Sequence, residues 1–204
     1  HLHDGKTNII TIEDPIEYRI QGVNQIQVNP KIGMTFAETL RSVLRQDPDV
    51  VMVGEIRDKE TASIAMQVAQ TGHLVLSTSH TNTAPAAITR LRDLGIPSYL
   101  IASSVGSVIA QRLVRRLCEC AVPAASEILA RCHELDIQTE ALKPGKGCEL
   151  CAQTGFKGRI GVFSFLELGD DVCEAIRSDV SESEIVKLAR DWGYQSLEEA
   201  GIHI

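Results

Sequence analysis

Residues 47 to 58, DPDVVMVGEIRD, close a short apolar run, Val50 to Val53, with Gly54 and the carboxylate of Glu55. A β-branched run of this kind reads as a strand buried on both faces of a parallel sheet. A carboxylate at its carboxyl end sits where open α/β sheets bind ligands. A second group of acids, Glu13, Asp14 and Glu17, follows the strand-like stretch Asn8 to Glu13, where Pro15 stops a regular ladder. Carboxylates there can orient or deprotonate a water, or hold Mg2+ through its water shell. The same composition also describes a solvated acidic turn. His73 and His80 flank a third strand-like run, and the polar segment Ser77-Thr78-Ser79-His80-Thr81 at its end places His80 near Glu55 and Glu17. A lone histidine is more commonly structural, and Arg41 and Arg45, one helical turn apart, by spacing alone make a solvated face.

The cysteines form a separate constellation. Cys118 and Cys120 make a C-x-C pair, and Cys148 and Cys151 a C-x-x-C on a glycine-flanked knuckle, with 27 residues between the pairs. Two such pairs fit a structural Zn2+ site of four thiolates, which would clip a small subdomain too poor in apolar residues to fold unaided. The first pair is one residue shorter than C-x-x-C, which predicts a tighter turn and a strained approach to one metal. Cys132 and His133 are alternative ligands in a helix-like stretch, and Cys173 reads as a buried helix residue.

The elements that must position these groups alternate. Asn8 to Glu13 and Gly22 to Val28 read as strands, and Thr35-Phe36-Ala37-Glu38 is a capping box that opens a helix to about Gln46. The Val50 strand is followed by a helix from Lys59 to Thr71, closed by Gly72, and by a buried strand from His73 to Thr78. Helices are expected at Ala84 to Leu94 and at about Ser98 to Leu117. This alternation predicts an α/β parallel sheet. The texture changes at Cys118, giving three expected parts: a core at 1–117, a cysteine subdomain at 118–158, and a strand with an acidic helical tail at 159–204.

Composition narrows the partners. Hydrophobic residues make up 44% of the 204 residues and charged residues 23%, with mean hydropathy near zero. No apolar run approaches the ~20 residues of a membrane span, and the amino-terminal residues do not read as a signal peptide, which predicts a cytoplasmic protein. A net charge of −7 argues against a nucleic-acid binder. Gly5-Lys6-Thr7 matches the end of the phosphate loop G-x-x-x-x-G-K-[ST], but that loop must open a helix, and Asn8 runs directly into a strand.

The segments IITIEDPIEYRI, TFAETLRSVLRQDPDVVMVGEIRD, TGHLVLSTSHTNTAPAAITRLRDLGI and IAQRLVRRLCEC together resemble the motor ATPases of type II secretion and type IV pilus assembly, the GspE/PilB family. The resemblance runs from about His1 to Leu168 and is looser in the tail. It implies a RecA-like core of the P-loop NTPase type, without its first strand and phosphate loop, which would lie just upstream of His1. It also implies a homo-hexamer that hydrolyses ATP with Mg2+ and acts on an inner-membrane platform protein from the cytoplasmic side.

Carried onto this sequence, the resemblance makes Thr11 to Glu17 the Asp box, with Glu17 as the base and Glu13 beside the nucleotide. Asp47 to Asp58 becomes the Walker B segment, with Glu55 acting on Mg2+ or its water. Residues 71 to 81 become the His box, with His73 and with His80 poised at the γ-phosphate. Arg41, Arg45 and Arg57 match arginines used around phosphates or across a subunit interface, and the tetracysteine module matches the family's. The C-x-C pair and Ser79, where relatives carry a bulky apolar residue, depart from the pattern. The alternatives are a non-catalytic assembly module and a RecA-like DNA translocase, the latter disfavoured by the acidic balance.

Overall fold

The structure is a computed structural model that describes residues 5–123 and 142–202. Residues 1–4 and 124–141, with Cys132 and His133 among them, lie outside the described residues. Two compact units are present: one comprises 1–108 and 165–194, the other 109–164 and 195–204.

The first unit is built on a sheet of four strands: β1 (Ile9–Glu13), β2 (Asn24–Gln27), β3 (Val50–Val53) and β4 (Leu74–Ser77), in the order β2-β1-β3-β4. Every pairing is parallel, with Ile12 opposite Val53 and Val53 opposite Ser77. All four strands therefore end on one edge of the sheet. Helices α1 (Phe36–Val43) and α2 (Lys59–Gln70) cover one face, where Leu40, Val43, Ile64, Ala65 and Val68 pack with Ile10, Ile12, Val51 and Val53 into a dry core. Each helix is capped by the residue before it: Thr35 Oγ1 accepts from Glu38 N, as the capping box predicts, and Asp58 Oδ1 from Thr61 N.

Helices α3 (Ala84–Asp93) and α4 (Ser98–Ser104) complete the unit with two helices of the tail, α5 (Asp170–Arg177) and α6 (Glu182–Asp191). The tail helices bury Val172, Ala175, Ile176, Ile185 and Ala189 and expose their acids except Glu182, which is half-buried and accepts from Thr83 Oγ1. The Arg92 guanidinium donates to the Ile176 and Val180 carbonyls, which satisfies the carboxyl end of α5 with a positive charge.

Two elements differ from the sequence-based expectation. The helix expected to run from Ser98 to Leu117 stops at Ser104, and Ser107–Leu117 is strand β5, which pairs with β8 (Phe156–Glu167). Ile101, Val105, Val108, Ile109 and Leu113 mimic a helical stripe, but Val105 turns extended before Gly106, and the residues beyond alternate as a strand does. The run His73 to Thr78 is a strand as expected, yet it is not buried. As the edge of the sheet it leaves Leu74 44% and Leu76 42% exposed, on the face opposite α1 and α2. An apolar run records how a strand can be buried, and here the described residues cover only its Val75 side.

The second unit contains most of β5 and β8, the short strands β6 (Val122–Pro123) and β7 (Leu142–Lys143), and a final helix α7 (Leu197–Ile202). Val162 and Ser164 are buried, and Ser164 Oγ donates to Gln195 O at 2.5 Å.

The core of the first unit makes a direct prediction. Leu40 is fully buried between α1 and the sheet, so Leu40→Ala should lower unfolding stability by about 2–5 kcal/mol, measured by urea denaturation.

Candidate functional site

The carboxyl edge of the sheet assembles the site. After Val53 the chain continues through Gly54, whose N–H donates to Ile12 O at 2.7 Å. A Cβ at Gly54 would stand 3.1 Å from that oxygen and 3.4 Å from Glu13 Cα, so a side chain here would press on the neighbouring strand. Thr78 Oγ1 donates to Gly54 O at 2.6 Å, and Ile56 N to Thr78 O at 3.3 Å. The peptide units on both sides of Glu55 are thereby fixed to the ends of β1 and β4.

Glu55 projects from this fixed backbone with its side chain 14% exposed. Its Oε1 accepts an ion-paired hydrogen bond from Arg57 Nη2, and its Oε2 lies 3.6 Å from His80 Nε2. The hydrogen bond from Arg57, outweighing the upward push of burial and helped by His80, holds the Glu55 carboxyl below its ordinary value. Oxygen donors at a strand end suit a hard divalent cation that keeps part of its water shell, so the residues present fit Mg2+. His80 itself is 91% exposed and so open to a ligand.

The other sequence candidates fall into two groups. Glu13 is buried at the end of β1, where its Oε1 accepts from Thr11 Oγ1 at 2.6 Å and from Gln25 Nε2 at 2.9 Å. Glu17 is exposed in the loop after Pro15, on the chain that leaves β1. Arg41 pairs with Glu38 at 2.8 Å and with Glu60 at 2.6 Å, which ties α1 to the first turn of α2, and Arg45 reaches Ser42 Oγ at 3.4 Å. His73 lies at the opposite end of β4 from His80, with Nδ1 within 3.2 Å of Val68 O and 3.0 Å of Thr71 Oγ1. The geometry therefore gathers Glu55, Arg57 and His80, and sets His73 apart. Gly5 to Thr7 lead straight into β1 and open no helix. Thr11, Gln25 and Thr78 were not singled out from the sequence. For Thr11 there was a signal, since it lies two residues before Glu13 and so on the same face of β1.

The cysteines come together completely. The sulfurs of Cys118, Cys120, Cys148 and Cys151 all lie within 4.8 Å of one another. Cys118 and Cys148 are 3.7 Å apart, Cys148 and Cys151 3.8 Å, and Cys120 and Cys151 3.9 Å. A tetrahedron with Zn–S bonds of about 2.3 Å has edges of about 3.8 Å, so the thiols present fit Zn2+. The C-x-C pair reaches the same centre despite its shorter turn. Close approach allows it: a Cβ at Gly145 would fall 2.0 Å from Cys120 O, and Gly147, at φ +101, would collide with Gln153. Burial pushes the Cys151 thiol up, but backbone N–H groups of Cys148 and Gly155, each 3.2 Å from its sulfur, and the Cys148 and Cys120 thiols bring it down to about 6. Burial and hydrogen bonds with the other three thiols push Cys120 up to about 12.

The model of the family described as type II/IV secretion system protein matches residues 1–204. The chain belongs to this family. Within the secretion family, it is 54% identical over 188 residues to type II secretion system protein E of Aeromonas hydrophila, covering 90% of this chain and 37% of that protein. It is 49% identical over 201 residues to the type IV pilus assembly ATPase PilB of Thermus thermophilus, covering 96% of this chain and 23% of that protein. The chain thus spans well under half the length of either relative. Among solved structures it is similar to the pilus retraction motor PilT with bound ADP, with a TM-score of 0.60, 28% identity, and coverage of 95% of this chain and 51% of that one. The ATPase DotB of Legionella pneumophila shares the fold at a TM-score of 0.61 and 24% identity, over 93% of this chain and 44% of that one. The parallel sheet is that of a RecA-like core, and the family match extends through the tail that the sequence reading found only loosely similar. No described helix is long and apolar enough to cross a membrane.

The Arg57 contact has a measurable sign. A lowered folded-state value means that ionised Glu55 contributes stability above the ordinary glutamate pKa and that this contribution is lost as pH falls through the lowered value. In Arg57→Gln, without divalent cations, the Glu55 carboxyl should titrate at higher pH than in the parent chain, read by 13C NMR of the side-chain carboxyl.

Proposed function

We propose that this chain carries the Asp box, Walker B and His box of a motor ATPase that hydrolyses ATP to drive type II secretion or type IV pilus assembly. The observation that carries the reading is Glu55, held between Arg57 and His80 at the carboxyl edge of a RecA-like sheet. Phosphoryl transfer asks a protein mainly to neutralise charge and to place a nucleophile. Glu55 takes the cation side of that task. His80, exposed at the end of the polar run after β4, reaches the γ-phosphate. Glu17, exposed after Pro15, accepts the proton of the attacking water, while buried Glu13 is held by Thr11 and Gln25 and orients the loop that carries it. Arg41, Arg45 and Arg57 supply positive charge around the phosphates or across a subunit interface. Glu55 would hold Mg2+ or one of its waters, and the ion would supply positive charge to offset that developing on the phosphates.

The 204 residues hold no G-x-x-x-x-G-K-[ST] loop. In this reading the loop and its strand belong to the longer protein and pack beside β4, where Leu74 and Leu76 are exposed. The assembled protein works as a hexamer on the cytoplasmic face of the inner membrane, against a platform protein. The cysteine module holds one structural Zn2+ through Cys118, Cys120, Cys148 and Cys151.

Two measurements test these assignments. In a longer protein that includes the phosphate loop, Glu17→Gln should reduce phosphate release by about 10²–10⁴-fold, the contribution of a general base, with ATP binding retained. Unchanged turnover removes Glu17 as the base, and a parent protein that binds but never hydrolyses ATP supports a non-catalytic assembly module instead. Metal analysis of the purified chain should find about one Zn2+ per chain, lost in Cys151→Ser. A metal-free chain that is stably folded overturns the zinc assignment.

A further inference from the structure

Arg57 stands in an unusual relation to Glu55. The backbone from Gly54 to Ile56 is pinned by Ile12 O and by Thr78, so Glu55 cannot move far. Arg57, two residues on, is 64% exposed at the end of a long flexible side chain. Its guanidinium occupies Glu55 Oε1, while His80 lies against Oε2. Asp14, the residue after β1, adds to the negative field around the Arg57 guanidinium. The groups that face the Glu55 carboxylate are thus one exposed monocation on a long side chain and one exposed histidine.

We propose that Arg57 is a positioning residue that occupies the Glu55 carboxylate in the cation-free state and gives it up to an incoming divalent cation. The inference rests on the reading of Glu55 as the cation-side residue and adds to it an internal competitor. Physically, a divalent ion with oxygen-seeking chemistry displaces a guanidinium from a carboxylate when the guanidinium is exposed enough to regain its hydration. One consequence follows from the geometry: Glu55, whose side chain is mostly covered, is not left ionised without a positive neighbour before the cation arrives. An arginine that only cemented the fold would not compete for Oε1.

The test uses the 204-residue chain labelled with 13C at glutamate side-chain carboxyls, the Glu55 signal being assigned by its loss in Glu55→Gln, and Mn2+ alone as the probe. Paramagnetic broadening of the Glu55 carboxyl reports contact with the ion at that residue even when binding is weak. In Arg57→Gln, half-broadening should need roughly two- to fivefold less Mn2+ than in the parent chain, the effect of removing a partly exposed ion pair that contends for the same carboxylate. Arg57→Lys, which keeps the charge but not the forked donor, should fall between them. Equal Mn2+ dependence in the parent, Arg57→Gln and Arg57→Lys overturns the competition while leaving Glu55 as the cation-side residue. Glu55 signals that stay sharp in every variant, while other glutamates broaden, overturn both the competition and the assignment of Glu55.

Discussion

A hydrogen bond of 2.7 Å from Gly54 N to Ile12 O fixes where the site can be. Residue 54 has no Cβ to press on Ile12 O, so β1 approaches the end of β3 without strain and the ladder continues past Val53. Glu55 emerges at the point where that rung ends, next to Glu13 and opposite Thr78. Its carboxylate can therefore be met from both sides, by Arg57 and His80. Parallel register makes the arrangement general, because strands that all point one way deliver all their terminal side chains to one edge. The helices serve the same end by burying the opposite face of β1 and β3, which holds those strands at fixed depth.

Much of this was legible in the sequence because local chemistry and global fold agree at these positions. The β-branched run before Gly54, the capping box at Thr35 and the helical stretch from Lys59 to Gly72 each point to the element observed. The segment from Ser104 to Leu117 was not legible in the same way. Its apolar residues follow a helical period, and the strand is set by the extended backbone at Val105 and by the partner strand β8, which lies about 50 residues further on in the chain. Strand β4 shows a different limit. Leu74-Val75-Leu76 reads as buried on both sides, and composition alone does not say which residues supply the cover.

The candidate site divides along similar lines. Glu55 and His80 could be paired from the sequence because each follows a strand and adjacent parallel strands end together. The separation of His73 from them could be read as well, since it precedes the same strand that His80 follows. The partners of Arg41 depended on packing between α1 and α2, which brings Glu60 to it from another helix. The supports of Glu13 were hidden for the same reason, because Gln25 acts across the β1–β2 pairing that sets it opposite Thr11.

The cysteine knuckle has a further consequence for how such a chain can change over time. Cys120 and Cys148 meet at one centre, so the 27 residues between them leave and return at nearly the same point. A loop closed at its base adds only about 0.6 kcal/mol of closure entropy for each doubling of its length. Changes of length between β6 and β7 therefore cost little in closure entropy as long as Gly145 and Gly147 keep their places beside Cys120 and Gln153. A thiolate clip of this kind makes the stretch between those two strands a place where new sequence can be accepted.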